Sequence, residues 1–438
     1  MNGFIGLDFA TESARALLLN ETGQVLARTN AKLAPVIVGA DGSRKQDPKS
    51  WIAALDQVLS EICKQAAELK INPIALTLTA TSGTFVLCDQ TGAPLSDGVM
   101  YNDGTANSPL ERAAKLGFPN SYFKHVPEYL VAYLTGENNC ATDWSHALKT
   151  GVDLETKDWT SAAKVQTGAM RLPKICAPGA LIGELSKRHN LPAMRIYAGM
   201  TDGCTAQISA GGADFGNAVT TLGTTMVLKL ISKVNISGPG FYSHLVPESM
   251  WLAGGASNLG GISLQRFSDL DELGVRAGEY GPAKTIRYPL VGSGERFPIA
   301  NKNLTSLVTE ESSDEVENYR ATLEGIGFAE RLSYEILRDS GAPTLSAVTT
   351  VGGGAKSATW NLIRATILNL EITARPEAGS DLGAAMIALA ASSSGHLSEN
   401  LAKIPLQPGT VYHPVGSESN QLQESYEKFL VLIAKYRG

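Results

Sequence analysis

Cysteine is scarce: the 438-residue chain has five, at Cys63, Cys88, Cys140, Cys176 and Cys204. The number is odd and no two form a C-x-x-C pair. A disulfide framework or a structural zinc site is therefore not expected, and reduced core thiols are. No stretch approaches the roughly 20 apolar residues that span a bilayer. The N-terminus has no basic segment leading into an apolar run, and Asp8 would interrupt one, so no secretory leader is expected. Positive charge is not in excess either. A formal net charge of −6 argues against nucleic acid or an anionic membrane surface as partner. These absences together predict a cytoplasmic protein that works on small molecules; a monomer or homodimer is expected, which the absences do not decide.

Apolar residues make up 43% of the chain and charged residues 18%, enough to build a packed core and avoid disorder. The length suits two domains or a duplicated fold. Glycine is abundant, at 44 residues, as in nucleotide-binding α/β proteins, where the backbone turns tightly and approaches ligands closely.

Residues 4–8 read as a buried strand ending on Asp8, followed by a turn over 9–13 and a second strand over 14–19. A third strand is expected over 24–30. Asp47 and Pro48 mark a helix start, supported by the spacing of Ile52, Leu55, Val58, Leu59 and Ile62. A parallel-type strand is expected over 74–79, helical structure over 108–136 and a loop-rich stretch over 153–181. Residues 196–200 read as a strand and 204–210 as a helix. The glycine-rich segment 211–216 is the best domain boundary. Beyond it, strand 218–222, the Gly223-Thr224-Thr225 turn and strand 226–230 repeat the opening pattern, which suggests a duplicated domain. A long helix over 315–340, a strand over 347–351, a helix over 358–368 and an Ala-rich helix over 383–391 complete the chain.

Four segments could carry chemistry. Asp8 to Arg15 places a carboxylate at a strand end before a tight turn with Thr11, which suits a phosphate-gripping hairpin; alone it is equally an ordinary hairpin. In Thr220 to Thr225, Gly223 allows backbone approach and the hydroxyls can bond phosphate oxygens; alone it is equally a plain turn. Gly352-Gly353-Gly354 lies between a strand and a helix start, where helix-dipole logic favours a nucleotide, although it is not a Walker A loop. Asp202 follows a strand and precedes a helix. A carboxylate there can take a hydroxyl proton, or simply cap the helix.

In this order and spacing, the Asp-x-x-Thr hairpin, the Gly-Met-Thr-Asp-Gly string, the Leu-Gly-Thr-Thr turn and the Gly-Gly-Gly-Ala-Lys run resemble the FGGY carbohydrate kinases across nearly the whole chain. The strings Thr81-Ser82-Gly83-Thr84, 143–151, 254–261 and 294–298 are most similar to a short cyanobacterial and plant group regarded as D-ribulose kinases. The resemblance implies an α/β fold of two actin- and hexokinase-like (ribonuclease H-like) lobes with a cleft between them. Residues 1–213 would form the lobe with the sugar site and catalytic Asp, and 214–438 the nucleotide lobe. It implies ATP and Mg²⁺, and transfer of phosphate to D-ribulose. The alternatives are D-xylulose, another polyol or sugar, or a weakly active nucleotide-dependent binding protein on the same fold.

By the same resemblance Asp202 is the general base, Asp8 stands near Mg²⁺ and the sugar, and Ser82 contacts the sugar. Thr11, Gly223 and Thr224 touch phosphate. Gly353, Gly354, Ser357 and Trp360 form the adenine side, with the Trp360 ring able to cover a base. The hairpin departs from the family at Ala10, where Gly is usual, and at Glu12, where Ser or Gly is common.

Overall fold

The computed structural model of the chain describes residues 1–212, 215–247 and 250–437. The boundary expected at 213/214 lies outside the described residues. The chain divides into two compact units.

The first unit comprises Met1–Ser209, a short piece beginning at Leu245, and Ser380–Leu406. Its sheet runs in the order 181–184, 195–197, 72–80, 2–9, 13–20 and 25–32. Strand Asn2–Phe9 pairs antiparallel with Ser13–Asn20 and parallel with Asn72–Ala80, which in turn pairs parallel with Arg195–Tyr197. Parallel strands buried on both faces read as continuous apolar runs, and Phe4, Ile5 and Leu7 together with Leu76 and Leu78 are buried.

One face is covered by helix Pro48–Glu68, whose Asp47 cap accepts from the Lys49 amide as the sequence predicts. Helices Asp202–Ser209 and Ser380–Ala391 pack together, and the latter also packs on strands 2–9 and 72–80. Close approach explains their small residues. A Cβ on Gly6 would lie 2.0 Å from the Asp381 carbonyl oxygen, and one on Gly383 would lie 1.9 Å from that of Thr205. A linear division at residue 213 assigns segment 380–406 to the second lobe, but this packing places it in the first unit.

The region 108–136, expected to be helical, holds two helices, Pro109–Lys115 and Val126–Thr135, with strand Tyr122–His125 between them. Gly117, at φ +77°, stops the first helix. The strand then pairs antiparallel with Phe85–Cys88, and Phe123 stacks on Phe85 at 4.6 Å.

The second unit takes most of residues 210–379 and the C-terminal stretch from Gln407. Its sheet order is 241–246, 250–257, 226–232, 217–222, 347–351, 372–374 and 410–412. Strand Asn217–Leu222 is antiparallel to Met226–Ser232 and parallel to Ala347–Val351, which is parallel to Ile372–Ala374. This is the strand pattern of the first unit, so the echo in the sequence is a repeat of topology. Helix Glu315–Asp339 crosses the core, packing on Ala358–Leu368 and Leu270–Tyr280.

The five cysteines are free thiols. Among the described residues no helix is long and apolar enough to cross a membrane.

Candidate active site

In the first unit three parallel strands, 2–9, 72–80 and 195–197, end at one edge of the sheet. Ligands of open α/β sheets bind at that carboxyl edge. Asp8 is the penultimate residue of the first strand, in register with Thr79 on one side and Arg15 on the other. Ser82 follows the second strand, and Asp202 follows the third by a few residues.

Asp8 is only 2% exposed. Its Oδ2 lies 3.6 Å from Arg15 Nη1, and its Oδ1 has no hydrogen-bond partner. Burial pushes its pKa up to about 8, Asp202 and Asp381 push the same way, and Arg15 opposes them. The sequence motif thus brings Asp8 and Asp202 together. It did not reveal Asp381, which helix 380–391 brings in from far along the chain. Asp202 is half-buried in the first turn of its helix, and its Oδ1 accepts from the Gly203 amide at 2.7 Å.

A buried carboxylate oxygen with no donor beside two further carboxylates suits a cation, so the residues present fit Mg²⁺. Among the described residues no cluster of three or more His, Cys, Asp or Glu could hold a metal alone. An ion here would need other oxygens, as Mg²⁺ does when it is bound by one or two carboxylates plus substrate phosphates.

The pKa of Asp8 has a consequence for stability. A carboxyl whose pKa rises on folding binds its proton more tightly in the folded state, so stability falls as pH rises from the unfolded value of 3.8 toward about 8. Asp8→Asn removes that slope. In urea denaturation without divalent cations, the variant's stability relative to wild type should rise steadily from pH 4.5 to 8.5. A pH-independent difference would contradict the burial of this charge.

The hairpin turn departs from the family without strain. Ala10 is not among the positive-φ residues, and Glu12 is exposed. Thr11 is half-buried, and its carbonyl accepts from Gln46 Nε2 at 2.9 Å. Ser82 is 8% exposed, and its Oγ has no partner.

In the second unit Gly223, Thr224, Gly353, Gly354, Ser357 and Trp360 line one cavity of about 740 Å³. Gly223 and Gly352 follow directly on the parallel strands 217–222 and 347–351. Gly352 has φ +87°, and a Cβ there would lie 2.6 Å from the Leu222 carbonyl. Leu222, Ile262, Leu270 and Val275 add an apolar wall. Ser357 caps helix 358–368, its Oγ accepting from the Trp360 amide at 3.3 Å.

Trp360 differs from expectation. It is 2% exposed, and a Cβ on Gly354 would lie 2.9 Å from its ring. The indole is a floor beneath the glycine turn, with no free face to cover a base. Gly261, part of the string at 254–261 but not expected at this site, and Gln265 also line the cavity. The Gly261 amide donates to the Gly223 carbonyl at 2.8 Å, stacking this segment on the Gly-Thr turn. The paired glycines at 260 and 261 were the available signal.

Such a repeat, with carboxylates at the strand ends of the first unit's sheet and a glycine-lined cavity at those of the second, is the architecture of two-lobed phosphotransferases. Comparison with known proteins makes the class explicit. The N-terminal domain of the FGGY family of carbohydrate kinases matches residues 4–126, and its C-terminal domain matches residues 218–392. The chain belongs to the FGGY family of carbohydrate kinases. The xylulose kinase of Escherichia coli is 26% identical over 98% of this chain and 100% of its own length. A xyloylose kinase from Brucella ovis shares the fold with a TM-score of 0.90 at 21% identity, over 99% of both chains. Gluconate kinase from Lactobacillus acidophilus does so with a TM-score of 0.86 at 20% identity, over 99% of this chain and 98% of its own.

Proposed function

We propose that the protein transfers the γ-phosphate of ATP to a terminal hydroxyl of a ketopentose. The observation that carries this is the pairing of Asp202 with a buried, half-unsatisfied Asp8 at the carboxyl edge of the first sheet. Asp202 takes the hydroxyl proton as the sugar oxygen attacks the γ-phosphorus. The bond from that phosphorus to the β-bridging oxygen breaks, and ADP leaves with the electron pair. Phosphoryl transfer asks the protein mainly for position and charge.

Asp8 would hold Mg²⁺, whose charge offsets that of the phosphates. Thr11, Gly223 and Thr224 are the phosphate contacts in this scheme, Ser82 a sugar contact, and Gly353, Gly354 and Ser357 the nucleotide side, with Trp360 as its floor. The free Oγ of Ser82 supports its role, since a buried hydroxyl without a partner is otherwise costly. The apolar wall and glycine turns of the 740 Å³ cavity support the nucleotide assignment.

D-ribulose is the first acceptor, on the strings at 81–84, 143–151, 254–261 and 294–298. D-xylulose is the second, favoured by the name of the Escherichia coli relative. A hydroxyl's configuration is read by few placed donors and acceptors, so the two sugars should differ strongly in kcat/KM. Coupled ADP release over D-ribulose, D-xylulose, L-ribulose, erythritol and glycerol tests the proposal. Expected is ADP release that requires sugar, with kcat/KM for D-ribulose at least about tenfold above the rest. Equal release with and without sugar would make the protein an ATPase. Tight ATP binding without turnover would make it a nucleotide-dependent binding protein.

A further inference from the structure

One buried carboxylate outside the proposed chemistry fixes two backbone amides that flank it. Asp143 ends strand Ala141–Asp143 and caps the short helix Trp144–Ala147, its Oδ1 accepting from the Ser145 and His146 amides at 2.8 and 3.2 Å. The same Oδ1 accepts from Ser145 Oγ at 2.5 Å. With its proton committed there, the Ser145 oxygen accepts from the Thr201 amide at 2.9 Å. The other oxygen, Oδ2, meets His146 Nδ1. His146 Nε2 accepts from the Ala80 amide at 3.3 Å. A backbone N–H can only donate, so this contact is made by the neutral ring with its proton on Nδ1 facing Asp143; burial favours that form, while the Asp143 carboxylate raises the His146 pKa and works against it.

Asp143, Ser145 and His146 are 3%, 1% and 0% exposed. Thr201 immediately precedes Asp202, and Ala80 stands two residues before Ser82. A further tie runs directly between the two segments, from Thr79 Oγ1 to the Met200 carbonyl at 2.5 Å. Capping the short helix requires only the acceptor atoms of Asp143. The reach of Ser145 and His146 to amides 56 and 66 positions away is extra.

We propose that Asp143, Ser145 and His146 are positioning residues that hold the Asp202 turn and the Ser82 loop in fixed geometry at the sugar site. This rests on the kinase function proposed above. The two arms make different predictions. Ser145 acts on the base, so Ser145→Ala should lower kcat about tenfold with the sugar KM little changed, and Ser145→Thr should restore it. His146 acts on the sugar loop. Asp143→Asn leaves one acceptor oxygen where Asp143 has two, so either the Ser145 and His146 amides or His146 Nδ1 faces an N–H₂ donor, and the hold on the Ala80 and Thr201 amides weakens. Asp143→Asn should therefore lower kcat and raise the sugar KM, each about tenfold, with the ATP KM within about twofold.

The test joins steady-state kinetics to amide hydrogen exchange on the full chain, followed in peptides covering 78–84 and 199–204. Faster exchange is expected in both peptides for Asp143→Asn, and only in the second for Ser145→Ala. Unchanged exchange in both variants overturns the proposal. So does faster exchange with kcat and sugar KM as in wild type, which would make the network purely structural. If wild type releases no ADP in response to sugar, the kinase function fails separately, and exchange alone decides the positioning role. If Asp143→Asn does not fold, the Ser145→Ala and Ser145→Thr pair carries the test.

Discussion

Asp202→Asn should lower kcat by about 10²–10⁴-fold, the usual contribution of a positioned general base. The substitution is isosteric, and the amide oxygen can still accept from Gly203, the contact Asp202 makes at 2.7 Å. The start of helix 202–209 therefore keeps this cap, and the substitution takes away the proton affinity and negative charge of the side chain. ATP and sugar KM should stay within a few-fold of wild type, since an interaction needed only in the transition state appears in kcat. The substitution also removes one of the negative charges beside Asp8, where the cation would sit. Apparent Mg²⁺ affinity, read from the metal dependence of the residual rate, should weaken modestly. A kcat within tenfold of wild type would remove Asp202 from the role of base. So would a collapse of thermal stability that accounts for the lost rate.

What could be foreseen from sequence depends on how far apart the interacting residues lie. The Asp8 hairpin, the helix at Asp47, and the Gly223 and Gly352 turns each declare themselves within about ten residues, because strand, turn and cap chemistry is local. The repeat of strand, turn, strand at 217–232 was legible for the same reason, and with it the two-unit fold. What escaped was built from distant partners. Nothing near Asp143 announces that His146 meets Ala80, 66 positions away. Nothing near Asp381 announces that it faces Asp8, because helix 380–391 returns to the first sheet after the second unit's parallel strands. Trp360 shows the opposite error. An aromatic beside a glycine turn suggests a platform for a base, but here Gly354 lies against the ring and the indole is buried. Residue type and spacing place Trp360 at the glycine turn, and orientation was not theirs to give.

Glu330→Ala should destabilise the protein by about 3–5 kcal/mol, the penalty for leaving one member of a buried ion pair alone. Glu330 and Arg364 are both 0% exposed and bidentate, with Nε to Oε2 at 2.6 Å and Nη2 to Oε1 at 2.7 Å. Thr220 Oγ1 donates to Glu330 at 2.5 Å, and Arg364 Nη1 donates to Thr350 Oγ1 at 2.9 Å. Thr220 lies on the strand that leads into Gly223, and Thr350 on the strand that leads into Gly352. The pair thus sits under both turns of the proposed nucleotide cavity and fixes their strands to helix 315–339. Removing the carboxylate strands a buried guanidinium, and leaves the Thr220 hydroxyl with the Tyr334 hydroxyl, at 2.8 Å, as its remaining partner. Replacing both charges, as Glu330→Met with Arg364→Met, should cost less than Glu330→Ala alone, because no charge is then left unpaired. The comparison separates charge from volume. Urea denaturation of the three proteins checks it, and a double variant less stable than the single one would show that shape, not charge pairing, sets the cost. ATP affinity in Glu330→Ala, measured by calorimetry below the unfolding transition, should fall in step. The two turns of the proposed nucleotide cavity are tied to one ion pair, so loss of that pair is expected to disturb their geometry.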